Sequence, residues 1–420
     1  MLSYALRIRR LECLEVLEID ESVSIFITHR LRGEPLLPLL DSLSYPFTGT
    51  LPLFVSPRLR SVNINAYEGG AFITLPMLLD QTPLLEKFST DATQLTPHGV
   101  TFAILAQFSR LYYLSLDNCN MMDEHALKLI FSLDHLTQLR LLFGNSSTRI
   151  SQSNPITPHL PSLRVLVISG ETPLISYIFG CLAHTPLVSL HVKYYSGHIV
   201  GIESWRGRIA QIAQWSTSLS HLEISEDRPN SRERVTETSL LDPLLEMGGI
   251  QTLSLVMPII CQFSDAHFKR LAMAWPKIKK FRLTTPFVDT KPPATFATLE
   301  AFATHCPKLC DLSLHLSTSS LPSVLRASSR KLERLRIGYA VTNDPYLLAR
   351  RLDALFPCLK SLQGDDRAVP KSGEDGTDSD GIYIWCGERP NWRQVFHILK
   401  TCQAVREDYR RSLMASSQRT

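Results

Sequence analysis

A hydrophobic residue, two variable residues, a hydrophobic, one variable and a hydrophobic recur along most of the chain. The motif reads Leu59, Val62, Ile64; Leu111, Leu114, Leu116; Leu136, Leu139, Leu141; Leu163, Leu166, Ile168; and Leu187, Leu190, Val192. It continues through Leu219, Leu222, Ile224; Ile250, Leu253, Leu255; Ile278, Phe281, Leu283; Leu309, Leu312, Leu314; and Leu332, Leu335, Ile337. A copy at Leu85 and Phe88 carries Thr90 in its last position, and a degraded one closes the series at Leu359 and Leu362. An earlier copy is read at Leu14, Leu17, Ile19. From Leu59 onward the first positions lie 23 to 32 residues apart. Alternation of this kind sends every second side chain of a short strand to one face. Helical periodicity precedes many strands: Gly99 to Phe108, Asp123 to Ser132, Ile175 to His184, Asp265 to Trp275, Leu299 to Cys306 and Tyr346 to Phe356. Asp123 and Asp265 stand at the expected N-caps. A proline follows several of these helices, as in Trp275-Pro276, Cys306-Pro307 and Phe356-Pro357.

One strand and one helix cannot bury such leucines alone, so the units must stack. The pattern therefore predicts an α/β fold, a leucine-rich-repeat solenoid or horseshoe with parallel strands on the concave face and helices on the convex face. It assigns residues 1–363 to about 12 to 13 irregular repeats. Segments Asn145 to Pro158, Glu226 to Thr236 and Thr284 to Thr295 read as inserted loops, and Glu34 to Pro57, with five prolines, fills the gap between the first copies. Residues 364–381 read as an acidic disordered loop. Residues 382–420 read as a last strand, Ile382 to Trp385, and a capping helix, Asn391 to Leu413, with Trp392, Val395, Phe396, Leu399 and Cys402 on one face.

Composition narrows the function classes. Among 420 residues, 44 basic side chains against 40 acidic ones leave +4, so charge balance implies neither a nucleic-acid nor a membrane partner. Met1 to Arg10 holds no apolar run of signal-peptide length, and no window reaches the length of a membrane helix. Nine scattered cysteines, an odd number, fit a reduced compartment, the cytoplasm or nucleus.

Catalytic constellations are absent: there is no nucleophile elbow, Walker loop, dinucleotide glycine motif or His-Glu-x-x-His. The chain reads as no enzyme, with no cofactor. The nearest approach to a metal site, His305, Cys306, Cys310 and His315, has no zinc-motif spacing; Cys306 fits a helix end and Cys310 a strand start. Asp375, Asp378 and Asp380 faintly resemble a calcium loop, but Gly387 stands where its glutamate belongs. Thr377 and Ser379 beside them are candidate kinase targets.

Two stretches carry a family resemblance. Cys306-Pro307-Lys308-Leu309 leading into Leu312 and Leu314, and Leu116-Asp117-Asn118-Cys119 at another strand's end, resemble the cysteine-containing, ribonuclease-inhibitor-like leucine-rich repeats of F-box proteins. The irregular units, proline-rich interruptions and Trp-containing end helix resemble the F-box and leucine-rich-repeat family of mushroom-forming fungi, over roughly Leu14 to Leu362. The resemblance implies a non-enzymatic scaffold: an F-box recruits a cullin-RING ubiquitin ligase through its adaptor, and the repeats hold the substrate. Here Leu75-Pro76-Met77-Leu78 and Leu321-Pro322-Ser323-Val324 fall inside the repeats, so no segment reads as an F-box. Only thirteen residues precede Leu14, so either a partner covers that edge or the front of the chain is missing. A ligase adaptor is thus a partner only if an F-box lies upstream. The alternative is a free-standing adaptor or inhibitor that recruits no ligase.

Strand alternation also selects the concave-face residues: Tyr113 and Ser115, Gln138 and Arg140, Ser189 and His191, His221 and Glu223. Toward the carboxyl end the face becomes basic, with Lys280 and Arg282, then Asp311 and Ser313 with His315 beyond, then Arg334 and Arg336. Lys280, Arg282, His315, Arg334 and Arg336 are the candidate partner-binding residues. Two basic pairs about 10 Å apart across one strand suit a protein partner's acidic or phosphorylated segment.

Overall fold

A computed structural model of the chain describes residues 2–13, 21–45, 51–64, 71–95, 98–119, 122–144, 160–195, 201–226, 234–235, 239–285, 294–318, 321–322, 331–338, 344–364 and 392–417. The chain divides into two compact units, Met1–Gly197 and His198–Thr420.

The first unit carries strands β1 (Arg10–Glu12), β2 (Ser42–Tyr45), β3 (Ser61–Ile64), β4 (Lys87–Asp91), β5 (Tyr113–Asp117), β6 (Gln138–Leu142), β7 (Val165–Gly170) and β8 (Ser189–Tyr194). Each pairs in parallel with the next in sequence, and the motif residues lie opposite one another: Leu43, Val62, Phe88, Leu114, Leu139, Leu166 and Leu190 form one aligned row. Its helices are α1 (Leu2–Ala5), α2 (Glu21–Arg30), α3 (Ala71–Gln81), α4 (His98–Leu105), α5 (Glu124–Phe131) and α6 (Thr172–Cys181).

The second unit holds α7 (Ile202–Ala213), β9 (His221–Glu226), β10 (Arg234–Val235), β11 (Thr252–Val256), β12 (Ile260–Cys261), α8 (Asp265–Ala274) and β13 (Lys280–Thr284). α9 (Phe296–His305), β14 (Asp311–His315), β15 (Arg334–Gly338), α10 (Pro345–Leu355), β16 (Ser361–Gly364) and α11 (Trp392–Ser417) complete it. Strands β9, β11, β13, β14, β15 and β16 form parallel neighbours in that order. The fold is therefore the α/β leucine-rich-repeat solenoid that the spacing predicts.

Burial follows the motif. Leu253 and Leu255, Phe281 and Leu283, Leu312 and Leu314, and Leu335 and Ile337 are all buried, while Lys280, Arg282, Arg334 and Arg336 between them are exposed. Three helices end alike: Trp275, Cys306 and Phe356 are fully buried at the C-caps of α8, α9 and α10. Each cap amide donates to the carbonyl four residues back, and at each cap the backbone leaves the helical region, as the residue before a proline favours. The Trp275 indole N–H donates to the Leu244 carbonyl at 3.0 Å, so even this deep ring leaves no donor unmet.

Several expectations are corrected. The copy read at Leu14, Leu17 and Ile19 lies outside the described residues; the strand that pairs with β2 is β1, ahead of it. Glu34 to Pro57 is not filler but contains a repeat, because Leu40, Leu43 and Tyr45 reproduce the motif and are buried. Its described prolines, Pro35, Pro38, Pro52 and Pro57, fall outside β2 and break none of its ladder bonds. Within Glu226 to Thr236, β10 pairs with β12 as a small separate sheet. Asp123 caps α5 as expected, accepting from the Ala126 amide at 2.8 Å. The N-cap of α8 is Ser264 rather than Asp265. Asp265 instead accepts from the Thr295 amide and from the Thr295 and Thr298 hydroxyls, which ties the start of α8 to that of α9.

The terminal helix α11 buries Trp392, Val395 and Leu399, while Phe396 and Cys402 of the expected face are half-buried. It packs against α10 and β16. Lys400 and Gln403 donate to the Leu359 carbonyl, and Arg406 meets Asp353 at 2.6 Å. Burial pushes the Asp353 carboxyl up, and Arg406 opposes that shift. Gly364 is required here, because a Cβ at this position would overlap the Trp392 ring. The expected acidic loop, the strand at Ile382 to Trp385 and the Asn145 to Pro158 loop lie outside the described residues.

Candidate functional site

The sequence places five candidate residues on the outer side of three neighbouring strands, and the register brings all of them together. Lys280, Asp311, Arg334 and Ser361 form one row across β13 to β16. Arg282, Ser313, Arg336 and Gln363 form the next, and His315 stands beside Gly338 in a third. His315 is half-buried because its imidazole lies over Gly338, where any Cβ would collide with it.

The charges of this face are unequally compensated. Arg334 Nε donates to Asp311 Oδ2 at 2.9 Å, an exposed pair worth at most about 1 kcal/mol. Arg336 donates twice to Gln363 Oε1, at 3.1 and 2.6 Å, so it is held in place while no carboxylate among the described residues pairs with its charge. Lys280 and Arg282 have no ion-pair partner among the described residues. Asp311 thus neutralises Arg334 and leaves Lys280 free. Ser313, between the two arginines, is almost covered at 9% exposure.

Further cations escaped the sequence reading. Lys277, Lys308 and Lys331 each immediately precede the first core residue of successive repeats, Ile278, Leu309 and Leu332, and all three are exposed. Aligning the repeats on that first position would have found them. Lys279 adds another exposed charge beside Lys280, whereas Lys360 is matched by Glu333 at 2.8 Å.

The first unit's face differs. Its outward residues include Ser42, Ser44, Ser61, Asn63, Tyr113, Val165 and Val167, and Arg140 lies 3.5 Å from Asp117. Asp91 Oδ2 accepts from Asn118 at 2.5 Å, and its other oxygen accepts from Thr93. Among the described residues no comparable surplus of one sign develops there.

The cysteines singled out by sequence are structural. Cys306 lies at the end of α9, donates to the Ala272 carbonyl at 3.4 Å, and burial pushes its thiol up to about 12. Cys310 donates to the Lys279 carbonyl at 3.2 Å. Among the described residues no group of three or more His, Cys, Asp or Glu side chains is placed to hold a metal ion. Among the same residues no helix is long and apolar enough to cross a membrane.

Strand order and repeat spacing define a leucine-rich-repeat solenoid with a basic sheet face in its second unit. No protein-family model matches the chain, and no curated protein is similar to it in sequence. Among solved structures it is similar to the complex of Rad7 and Elc1 in yeast, with a TM-score of 0.39 and 13% identity, over 83% of this chain and 82% of that one. It is also similar to an internalin C2 of Listeria monocytogenes, with a TM-score of 0.32 and 18% identity, over 65% of this chain and 91% of that one. At these scores neither similarity adds to what the strand order itself establishes.

Proposed function

We propose that the chain is a non-enzymatic protein-interaction scaffold that holds an acidic or phosphorylated segment of its partner against the sheet face of the second unit. The observation that carries this reading is the uncompensated set Lys280, Arg282 and Arg336 on adjacent strands, with Arg334 and His315 beside them. Like charges at such spacing repel, and an anionic partner relieves that repulsion. Arginine adds bidentate geometry for carboxylate or phosphate.

The finer reading is the substrate-recognition part of an F-box type, cullin-RING ubiquitin ligase receptor acting in the cytoplasm or nucleus. Its support is the cysteine-containing repeat around Cys306 and Cys119, both buried as such repeats require. A free-standing adaptor or inhibitor has its own support: Leu75 and Leu78 of the Leu-Pro segment are buried in α3 and cannot serve as an F-box surface. Co-purification with a ligase adaptor decides between them, since an adaptor-free complex fits only the second.

Arg282→Glu combined with Arg334→Glu is expected to cut partner capture from host extracts by about tenfold at low salt. Binding of the unaltered chain should fall as salt rises. Unchanged or salt-insensitive binding would move the interface elsewhere.

A further inference from the structure

Strand β14 runs between two basic rails. On one side the β13 repeat presents Lys277, Lys279, Lys280 and Arg282, all exposed and without an ion-pair partner among the described residues. On the other side the β15 repeat presents Lys331, Arg334 and Arg336. Between them β14 offers short side chains at Cys310, Asp311 and Ser313, with Lys308 ahead of them and the half-buried His315 at the strand's end. Neighbouring strands lie about 4.8 Å apart, so the rails stand about 10 Å apart over a low floor. Along each rail, same-face residues such as Lys280 and Arg282, or Arg334 and Arg336, repeat about every 6.6 Å.

We propose that this trough receives an extended run of at least four consecutive acidic residues of a partner protein, lying along β14 with successive carboxylates turned to alternate rails. The proposal rests on the reading that the sheet face grips an acidic segment, and it fixes that segment's conformation and sequence pattern. An extended chain has the same two-residue repeat as the rails, because both are strands. If residue i meets Lys280, residue i+2 meets Arg282, while i+1 and i+3 meet Arg334 and Arg336. A helix, about 10 Å or more across with its side chains, is as wide as the trough and cannot enter it. Nucleic acid fits less well, since β13, β14 and β15 turn no Phe, Tyr or Trp outward on which a base could stack.

Asp311 is the one anion on the trough floor, and it holds Arg334. Removing its charge frees Arg334 and removes a repulsion, so loss of an ion pair should here strengthen binding. Ser313 reports on shape alone: a longer neutral side chain fills the floor without altering any charge.

The test is fluorescence anisotropy at low salt, using the full chain and two labelled peptides of equal length and equal glutamate count. In one the glutamates are consecutive; in the other they alternate with serine and can satisfy one rail only. The consecutive peptide is expected to bind about tenfold more tightly, the worth of two further exposed ion pairs. Asp311→Asn should tighten it by about threefold, and Ser313→Gln should weaken it by a similar factor, each with an unchanged circular dichroism spectrum. Equal affinity for the two peptides, or no effect of Ser313→Gln, overturns the trough and leaves the acidic-segment reading intact. Failure of both peptides to bind overturns the two together. Tighter binding of an oligothymidine of matched charge overturns the proposal in favour of nucleic acid.

Discussion

Leu312→Asp is expected to leave the second unit without a cooperative folded state. Leu312 is fully buried, and its strand neighbours in register are Phe281 and Leu335, both buried as well. The substitution forfeits roughly 2 kcal/mol of apolar burial. It also sets an unpaired carboxylate in an apolar core at a cost of several kcal/mol more. The sum approaches the roughly 5–15 kcal/mol that holds a typical domain together. Arg282→Asp, on the exposed outer face of the neighbouring strand β13, sets the same group in solvent and should shift stability by no more than about 0.5 kcal/mol. Circular dichroism with thermal melting of the two proteins checks the pair. An unchanged melting temperature for Leu312→Asp would mean that the strand alternation is wrong.

Glu226→Ala should produce the next largest loss, about 3–5 kcal/mol, because it removes the buried carboxylate that pairs with a buried guanidinium. Arg208 and Glu226 have side chains 1% and 0% exposed, with Nη1 3.1 Å from Oε2. The Trp205 indole N–H donates to the same oxygen at 3.0 Å, and the Arg208 guanidinium lies 5.2 Å from the Trp205 ring. The cluster joins α7 to the end of β9. Arg208→Met should be comparably harmful, since it leaves the carboxylate buried with only the indole among these two partners. The double variant Arg208→Met, Glu226→Leu should regain most of either loss, as a well-packed apolar pair often matches a buried ion pair. Urea unfolding of the four proteins measures the coupling. Additive losses in the double variant would show that the pair is not energetically linked.

The repeat was legible because every unit obeys one alternation and the sheet register preserves it, so aligned leucines in sequence are neighbours in space. The β2 repeat was missed for two reasons. Tyr45 stands where the pattern expects an aliphatic residue, and Leu40 precedes Leu59 by 19 residues, less than the 23 to 32 of the recognised intervals. Five prolines also favour a loop in sequence, although none of the four described ones interrupts a ladder bond. The basic face was legible for the same reason as the core, since outward residues share the register. Its internal pairing was not: that Asp311 turns to Arg334 rather than Lys280, and that His315 lies over Gly338, depends on side-chain torsions that strand periodicity leaves open. Local pattern places Asp265 at a cap because capping is a local signal, whereas its partners lie 30 and 33 residues away.

We propose that partner recognition resides on the sheet face of the second unit. The direct test compares two charge reversals of equal size in partner capture from host extracts. Lys280→Glu with Arg282→Glu alters the outer face of β13, and Lys269→Glu with Arg350→Glu alters exposed positions of α8 and α10. The sheet-face pair should lose the partner at low salt while the helix-face pair retains it. Equal retention by both, or loss confined to the helix-face pair, would contradict the account.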